Sequence, residues 1–205
     1  MKRARLFAGL AAVLLAAGTT QAAPLATDPL TMAAWRGAKD FDSSGGGWTL
    51  DVKVEFAVYD KGDYPGSDPS GGSHYVYAYE IFNLAGGSAD VTQVSIGLAK
   101  GSGAVNIGAH TPPPGTDDDE VSPTGETIGL SSAQWDFASL LQGEDSQTLR
   151  FTSPYGPQWM SGTVMDGGLS DQRDLPSPMP EPAAISLLAL GGVGALLSHR
   201  RRRAA

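Results

Sequence analysis

Hydrophobic and polar positions alternate most regularly between Trp48 and Tyr59. Every second residue there is apolar, which is the period of a strand with one buried and one solvated face. The positions predicted to face a core are Leu50, Val52, Val54, Phe56 and Val58. This run is the strongest strand prediction in the chain.

A second alternating run extends from Tyr75 to Asn83. The residues predicted to share one of its faces are Tyr75, Tyr77, Tyr79 and Ile81. After a short segment, 84–90, residues 91–99 alternate again, with Val94, Ile96 and Leu98 on one face. Two strands joined by a small turn predict a hairpin. We expect the tyrosine face to pack on the apolar face of residues 50–58.

Weaker patterns complete the predicted elements. Short strands are predicted at 104–108, 126–130, 148–152 and 162–165, and a helix-like stretch at 132–141. About seven short strands separated by Gly, Pro, Asn and Asp clusters are typical of antiparallel sandwiches. The sequence therefore predicts an all-β fold with a single antiparallel β-sandwich domain over residues 45–168, which loosely resembles immunoglobulin modules.

Two flanking segments are predicted to be irregular. Residues 23–44 are expected to form a flexible N-terminal segment, and the glycine- and serine-rich residues 43–47 extend it to the first strand. Residues 169–179 are rich in Pro, Ser and Asp and are expected to form a linker.

The net charge of the chain limits the classes of molecule that it can bind. Residues 23–179 contain seven Lys and Arg against 21 Asp and Glu, a formal charge of −14. This excess would repel phosphate backbones and excludes a nucleic-acid partner. The chain has no cysteine, which excludes disulfides, thiolate metal sites and a cysteine nucleophile.

Residues 1–22 have the three-part layout of a secretory signal peptide. Lys2, Arg3 and Arg5 precede an apolar run, which small and polar residues follow. Because Thr20 and Ala22 are small, signal peptidase is expected to cleave after Ala22. The alternative is an uncleaved N-terminal anchor.

Residues 180–205 have a second three-part layout. Pro180, Glu181 and Pro182 precede an apolar stretch predicted as a transmembrane helix, 183–198, and a basic tail, 199–205. A helix of about 15 residues rises about 22 Å, slightly less than a ~30 Å hydrocarbon core. The tail contains four arginines that predict a cytoplasmic location for it: Arg200, Arg201, Arg202 and Arg203. The motif would then lie at the outer, periplasmic face of the inner membrane.

This order of Pro-Glu-Pro, short glycine-containing apolar helix and arginine cluster resembles the PEP-CTERM sorting signal of Gram-negative bacteria. The resemblance implies that exosortase, a multi-pass membrane enzyme, cuts near the motif and releases the protein or transfers it to the cell surface. The aromatic run at Tyr75–Asn83 is similar to the central region of many such proteins. The alternative is a plain C-terminal membrane anchor.

The densest charge run is Asp117, Asp118, Asp119 and Glu120, in a loop that begins with three prolines. Calcium takes six to eight oxygen ligands, so this run is a weak candidate for a calcium site. Because the acids are adjacent and not spaced as in a calcium loop, a solvated acidic loop is the preferred interpretation. No cofactor is predicted.

No catalytic residue is assigned from the sequence. His74 and His110 stand in no recognisable ligand or triad spacing. The acids offer many carboxylate pairs for glycoside cleavage, and no motif selects one. The tryptophans Trp35, Trp48, Trp135 and Trp159 are expected in the core, with a stacking platform for sugars as the alternative.

These observations predict an exported, non-catalytic protein of the cell surface or extracellular matrix, with exopolysaccharide as a candidate partner. The alternatives are a secreted carbohydrate-binding module and an enzyme that acts on polysaccharide through a carboxylate pair. Such an enzyme should show a cleft with two convergent carboxylates of shifted pKa, whereas a binding module should show a row of exposed rings.

Overall fold

The computed structural model describes residues 24–110 and 120–180. These residues form one 3₁₀ turn, Leu25–Thr27, and ten strands. In chain order the strands are β1 Thr31–Gly45, β2 Trp48–Tyr59, β3 Tyr75–Asn83, β4 Val91–Gly97, β5 Val105–His110, β6 Gly125–Ile128, β7 Ser132–Leu140, β8 Thr148–Ser153, β9 Pro157–Met165 and β10 Ser170–Pro178.

The strands form two antiparallel sheets of five. The first sheet has the order β1-β2-β3-β8-β5, and the second has the order β10-β9-β4-β7-β6. Buried side chains from both sheets join in one core between them. This arrangement confirms the predicted all-β, sandwich-like architecture.

The two predicted apolar rows of β2 and β3 both face the core. The register pairs Phe56 with Tyr79 and Val58 with Tyr77, so the rows lie side by side in one sheet and are not stacked on each other. Across the core lies Trp135 of β7, which is fully buried. Its ring centroid is 6.2 Å from that of Tyr79.

The predicted hairpin after Asn83 is wrong. β3 belongs to the first sheet and β4 to the second, so residues 84–90 cross from one sheet to the other. The Asn83 side-chain amide holds this crossover, because it donates to the backbone oxygens of Ala89 at 3.0 Å and Leu140 at 2.8 Å. The apolar faces of both strands are thus buried across the sandwich without pairing to each other.

The helix-like stretch 132–141 is also a strand, β7. Its residues Ala133, Trp135 and Phe137 are buried, which is a period of two and not the helical 3.6. The weaker strand predictions are confirmed as β5, β6, β8 and β9. Of these, β9 begins at Pro157, earlier than the predicted start at 162.

Both segments predicted to be irregular contain strands, so the flexible segment 23–44 and the linker 169–179 are corrected to β1 and β10. The two strands lie at the same side of the sandwich and are linked there. The Asp171 carboxylate accepts the Asp42 backbone N–H at 2.8 Å, and Arg173 donates to the Asp40 carbonyl at 3.0 Å. Charged side chains at such edges also discourage pairing with another chain.

The two ends of the sandwich carry different segments. β10 begins at one end with Ser170 and finishes at the other with Pro178. The first end, here called the Gly46 end, carries the β1–β2 turn and residues 84–90 and 166–169. The opposite end, here called the Pro180 end, carries residues 98–104, 129–131 and 154–156.

Candidate functional site

The predicted sorting motif begins where the folded body stops. Pro180 is the last described residue, and Ala22, Glu181, Pro182 and Arg200–Arg203 lie outside the described residues. The Met179 backbone N–H donates to the Gly156 carbonyl at 3.1 Å, so hydrogen bonding reaches the residue before the motif.

None of the described residues, 24–110 and 120–180, belongs to a helix with the length and apolar character needed to cross a bilayer. The predicted transmembrane helix, 183–198, lies outside those residues.

A cleft of about 620 Å³ opens at the Gly46 end. Three segments meet around it: the β1–β2 turn, the crossover 84–90 and the β9–β10 turn. Its lining includes Trp48, Ser88, Asp90, Thr92, Asp166 and Leu169. The cleft therefore combines an aromatic ring with hydroxyls and carboxylates, a mixture that suits small polar ligands.

The β1–β2 turn fixes the position of Trp48. Gly46 and Gly47 separate the paired residues Gly45 and Trp48, with φ of +60° and +88°. Glycine adopts these angles without strain, and they match the two-residue turn that suits the twist of a hairpin. The glycine-rich run predicted to be flexible is thus a tight turn. It presents Trp48 with 59% of its surface exposed.

The two cleft carboxylates are each held through one oxygen. Asp90 Oδ2 accepts the Ser139 hydroxyl at 2.7 Å. Asp166 Oδ1 accepts the backbone N–H groups of Gly168 and Leu169, which fixes the β9–β10 turn. The second oxygen of each carboxylate makes no hydrogen bond to the described residues. These oxygens can accept hydrogen bonds from a ligand.

A second cluster lies on the outer face of the first sheet, away from the cleft. One carboxylate oxygen from each of Glu80, Glu120 and Asp145 lies within 4.8 Å of the others. Glu80 is also paired directly with Glu55 in the sheet. Burial, and then the charges of Glu55, Glu120 and Asp145, raise the pKa of Glu80 to about 8. Glu80 is therefore protonated at neutral pH.

This cluster contains one residue of the predicted acidic run. Glu120 is in it, whereas Asp117, Asp118 and Asp119 lie outside the described residues. Three carboxylates can each offer one oxygen to a divalent cation, which is half or less of the six to eight that calcium takes. Sequence reasoning missed the cluster because its members lie on three separate segments.

The four tryptophans do not form one platform. Trp135 is fully buried, and its indole N–H donates to the Gly108 carbonyl at 3.2 Å. Trp35 and Trp159 pack together with ring centroids 5.0 Å apart, which leaves Trp159 41% exposed. Trp159 also contacts Phe56, which is eight residues from Trp48 along β2, about 26 Å at 3.3 Å per residue. The prediction that the tryptophans are core residues therefore holds for Trp135 and is wrong for Trp48 and Trp159, whereas Trp35 is partly buried against the core.

The histidines lie apart from both the cleft lining and the acidic cluster. His110 ends β5, beside Gly66, where burial and then the Arg150 guanidinium lower its pKa. His74 precedes β3, and its backbone N–H donates to the Ser70 hydroxyl. Neither belongs to the cleft lining or to the carboxylate cluster.

No protein-family model, curated protein or solved structure matches this chain. The chain's own residues and their geometry are therefore the basis for assigning a function.

Proposed function

We propose that this chain is an exported, non-catalytic protein of the cell surface or extracellular matrix that associates with exopolysaccharide. After cleavage by signal peptidase at Ala22, the helix 183–198 holds it in the inner membrane with the sandwich in the periplasm. Exosortase then processes it near Pro180, Glu181 and Pro182, and it reaches the cell surface or the extracellular space.

The observation that carries this proposal is the position of β10. This strand ends at Pro178, and the Met179–Gly156 hydrogen bond extends the ordered backbone to the start of the motif. The sandwich therefore delivers the Pro-Glu-Pro motif and the apolar stretch from one of its ends. That is the arrangement expected of an outer domain carried on a short C-terminal anchor.

The distribution of exposed apolar side chains supports the same orientation. Six large apolar residues of the described part are exposed, and four lie toward the Pro180 end: Leu30, Val105, Leu130 and Trp159. Apolar side chains at the end nearest a bilayer can contact its interface, where tryptophan is enriched. The remaining two, Trp48 and Leu141, lie toward the Gly46 end.

The location of the raised-pKa carboxyl favours a non-catalytic role over a polysaccharide-cleaving enzyme. A general acid for that reaction needs a raised pKa and a place beside the bound sugar. Glu80 has the raised pKa, but it lies on the outer face of the first sheet and outside the cleft lining.

We also propose that the sandwich loosely resembles immunoglobulin modules. The support is the antiparallel sandwich with buried aromatic residues on β3 and β7. The five-plus-five strand arrangement is larger than the seven strands of the constant-type immunoglobulin sandwich.

The test is to replace Pro180, Glu181 and Pro182 together by alanine in a host that carries exosortase. We expect the wild-type chain to lose its C-terminal segment and appear outside the cell, whereas the variant keeps its full mass in the membrane fraction. A matched control replaces Pro112, Pro113 and Pro114 by alanine and should be processed normally. Identical mature mass and location for the motif variant and the wild type would contradict the proposal.

A further inference from the structure

We propose that the cleft at the Gly46 end is a binding site for a neutral glycan, with Trp48 as its stacking surface. This inference deepens the proposed function and rests on it for the presence of polysaccharide around the protein. The site itself is defined by Trp48, Ser88, Asp90, Asp166 and Leu169.

The aromatic surface is exposed and stands on a fixed backbone. Trp48 is 59% exposed even though the sandwich buries the larger part of its aromatic side chains. Its backbone is fixed by pairing with Gly45 and by the tight Gly46-Gly47 turn. A fixed backbone reduces the freedom that the site loses when a ligand stacks on the ring, which favours binding. The flat apolar face of a sugar ring is complementary to an indole face, and its hydroxyls point to the sides.

The polar groups of the cleft suit those hydroxyls. Asp90 Oδ1 and Asp166 Oδ2 are acceptors on opposite segments, and each carboxylate is anchored through its other oxygen. The Ser88 hydroxyl, which accepts the Thr49 backbone N–H at 2.8 Å, can donate its own hydrogen to a ligand. Hydrogen bonds from hydroxyls to ionised carboxylates are among the stronger ones. A polyhydroxylated ligand therefore finds partners around the stacking ring.

The negative charge of the cleft favours a neutral glycan over an anionic one. The cleft lining contains the carboxylates of Asp90 and Asp166 and no basic side chain, and the exported part has a formal charge of −14. A uronate or sulfate group placed here would be repelled, and the repulsion would weaken with added salt.

The cleft also faces away from the anchor. β10 runs from the cleft side, at Ser170, to Pro178, and nine residues span about 30 Å. A chain held at Pro180 therefore presents Trp48 away from the inner membrane, where a polymer can reach it in the periplasm before processing and outside the cell afterwards.

The experiment measures binding to the full-length protein by calorimetry, in a detergent without a sugar headgroup. The probes are hexamers of β-1,4-linked glucose, β-1,4-linked mannose and α-1,4-linked glucose, together with β-1,4-linked glucuronic acid, which differs from the first at C6. We expect at least one neutral hexamer to bind. At low salt the glucuronic acid hexamer should bind at least about tenfold more weakly, about 1.4 kcal/mol.

Two variants locate the site. Trp48→Ala should weaken binding by at least about tenfold, about 1.4 kcal/mol. Gly167→Phe should do the same because it adds a bulky side chain to the cleft lining, and its Cβ creates no clash because it meets nothing within 4 Å. The control is Trp159→Ala, which removes the exposed tryptophan at the other end and should leave affinity unchanged.

Four results would overturn the proposal: no binding of any neutral hexamer, tighter binding of the glucuronic acid hexamer, retained affinity in Gly167→Phe, or loss of affinity in Trp159→Ala with Trp48→Ala unaffected. The last result would move the site to the Trp35–Trp159 pair. Failure of sorting is measured separately by mature mass and fractionation. A chain that is sorted correctly but binds no glycan therefore contradicts this inference and leaves the proposed export and exosortase processing intact.

Discussion

Glu80 lies directly opposite Glu55 in the first sheet, with Glu120 and Asp145 beside it. Like charges at directly opposed positions destabilise a sheet. Lys53, which pairs with Glu55 at 2.8 Å, is the cation that offsets part of this repulsion. Burial and these neighbouring carboxylates raise the pKa of Glu80 to about 8, and a proton on Glu80 below that pH relieves the remaining repulsion.

This arrangement predicts that Glu80→Gln stabilises the protein at alkaline pH. Between about pH 4.5 and pH 8 the folded chain retains a proton on Glu80 that the unfolded chain has released. Stability therefore falls as pH rises through this window, because the unfolded state binds fewer protons. Glutamine cannot ionise, so the variant should gain on the order of 1–3 kcal/mol over wild type at about pH 9 and little at about pH 4.

Urea unfolding of both proteins at the two pH values measures the difference. The control is Glu126→Gln, at an exposed position of β6. Its effect on the free energy of unfolding should differ much less between the two pH values. An equal effect of Glu80→Gln at both pH values would mean that the pKa of Glu80 is the same in the folded and unfolded states.

The hydroxyls of two buried tyrosines connect β3 to other segments of the sandwich. The Tyr77 hydroxyl donates to the Tyr155 carbonyl at 2.9 Å, and the Tyr79 hydroxyl donates to the Pro176 carbonyl. Burial raises the pKa of both phenols. Through these bonds, the alternating aromatic row of β3 contacts the segment after β8 and the last strand, β10.

At the scale of elements, β10 is predicted to be necessary for folding. Leu175 is fully buried in the core, and the strand pairs with β9 along nine positions. A chain ending at Gly168 should therefore lose its cooperative thermal transition, because the core side of β9 becomes exposed. A chain ending at Pro180 keeps β10 and should retain the transition.

Circular dichroism during heating compares the two truncated chains. Equal cooperative transitions in both would mean that residues 169–179 behave as the linker that their composition predicts.

The strands that could be predicted from the sequence are those whose inward positions carry large apolar residues. β2 and β3 have them at every second position. β1 buries few large residues, among them Phe41, and β10 has a polar first half followed by Pro176 and Pro178. Proline is tolerated in an edge strand, where one side of the backbone has no partner strand. Such edge strands depend on pairing with a neighbouring strand, and the composition of the segment itself does not reveal that pairing.

The candidate site was less predictable than the fold for a similar reason. Trp48, Asp90 and Asp166 are far apart in the sequence and meet because three segments converge at one end. The run Gly45-Gly46-Gly47 is visible in the sequence, but glycine permits both a flexible segment and a tight turn. Whether Trp48 is buried depends on the opposite sheet, which no local pattern describes.

At the scale of the whole molecule, the sandwich has two unlike ends. The Gly46 end carries the cleft, and the Pro180 end carries the exit of the chain toward the predicted anchor together with Leu30, Val105, Leu130 and Trp159. The described residues end at Pro180, directly after β10, so under the proposed function the chain continues to its anchor from the Pro180 end. The proposed function therefore fixes which end faces the membrane.

This orientation predicts unequal protection of two exposed tryptophans when the full-length chain is anchored in vesicles. Hydroxyl-radical labelling, read by mass spectrometry, should decrease at Trp159 relative to a soluble chain ending at Pro180, because Trp159 pairs with Pro176 near the anchored end. Labelling at Trp48 should be the same in both forms, because nine residues of β10 separate the two ends by about 30 Å. A decrease at Trp48 with no change at Trp159 would reverse the orientation. Equal labelling of both residues in both forms would mean that the body is held away from the bilayer by residues after Pro180.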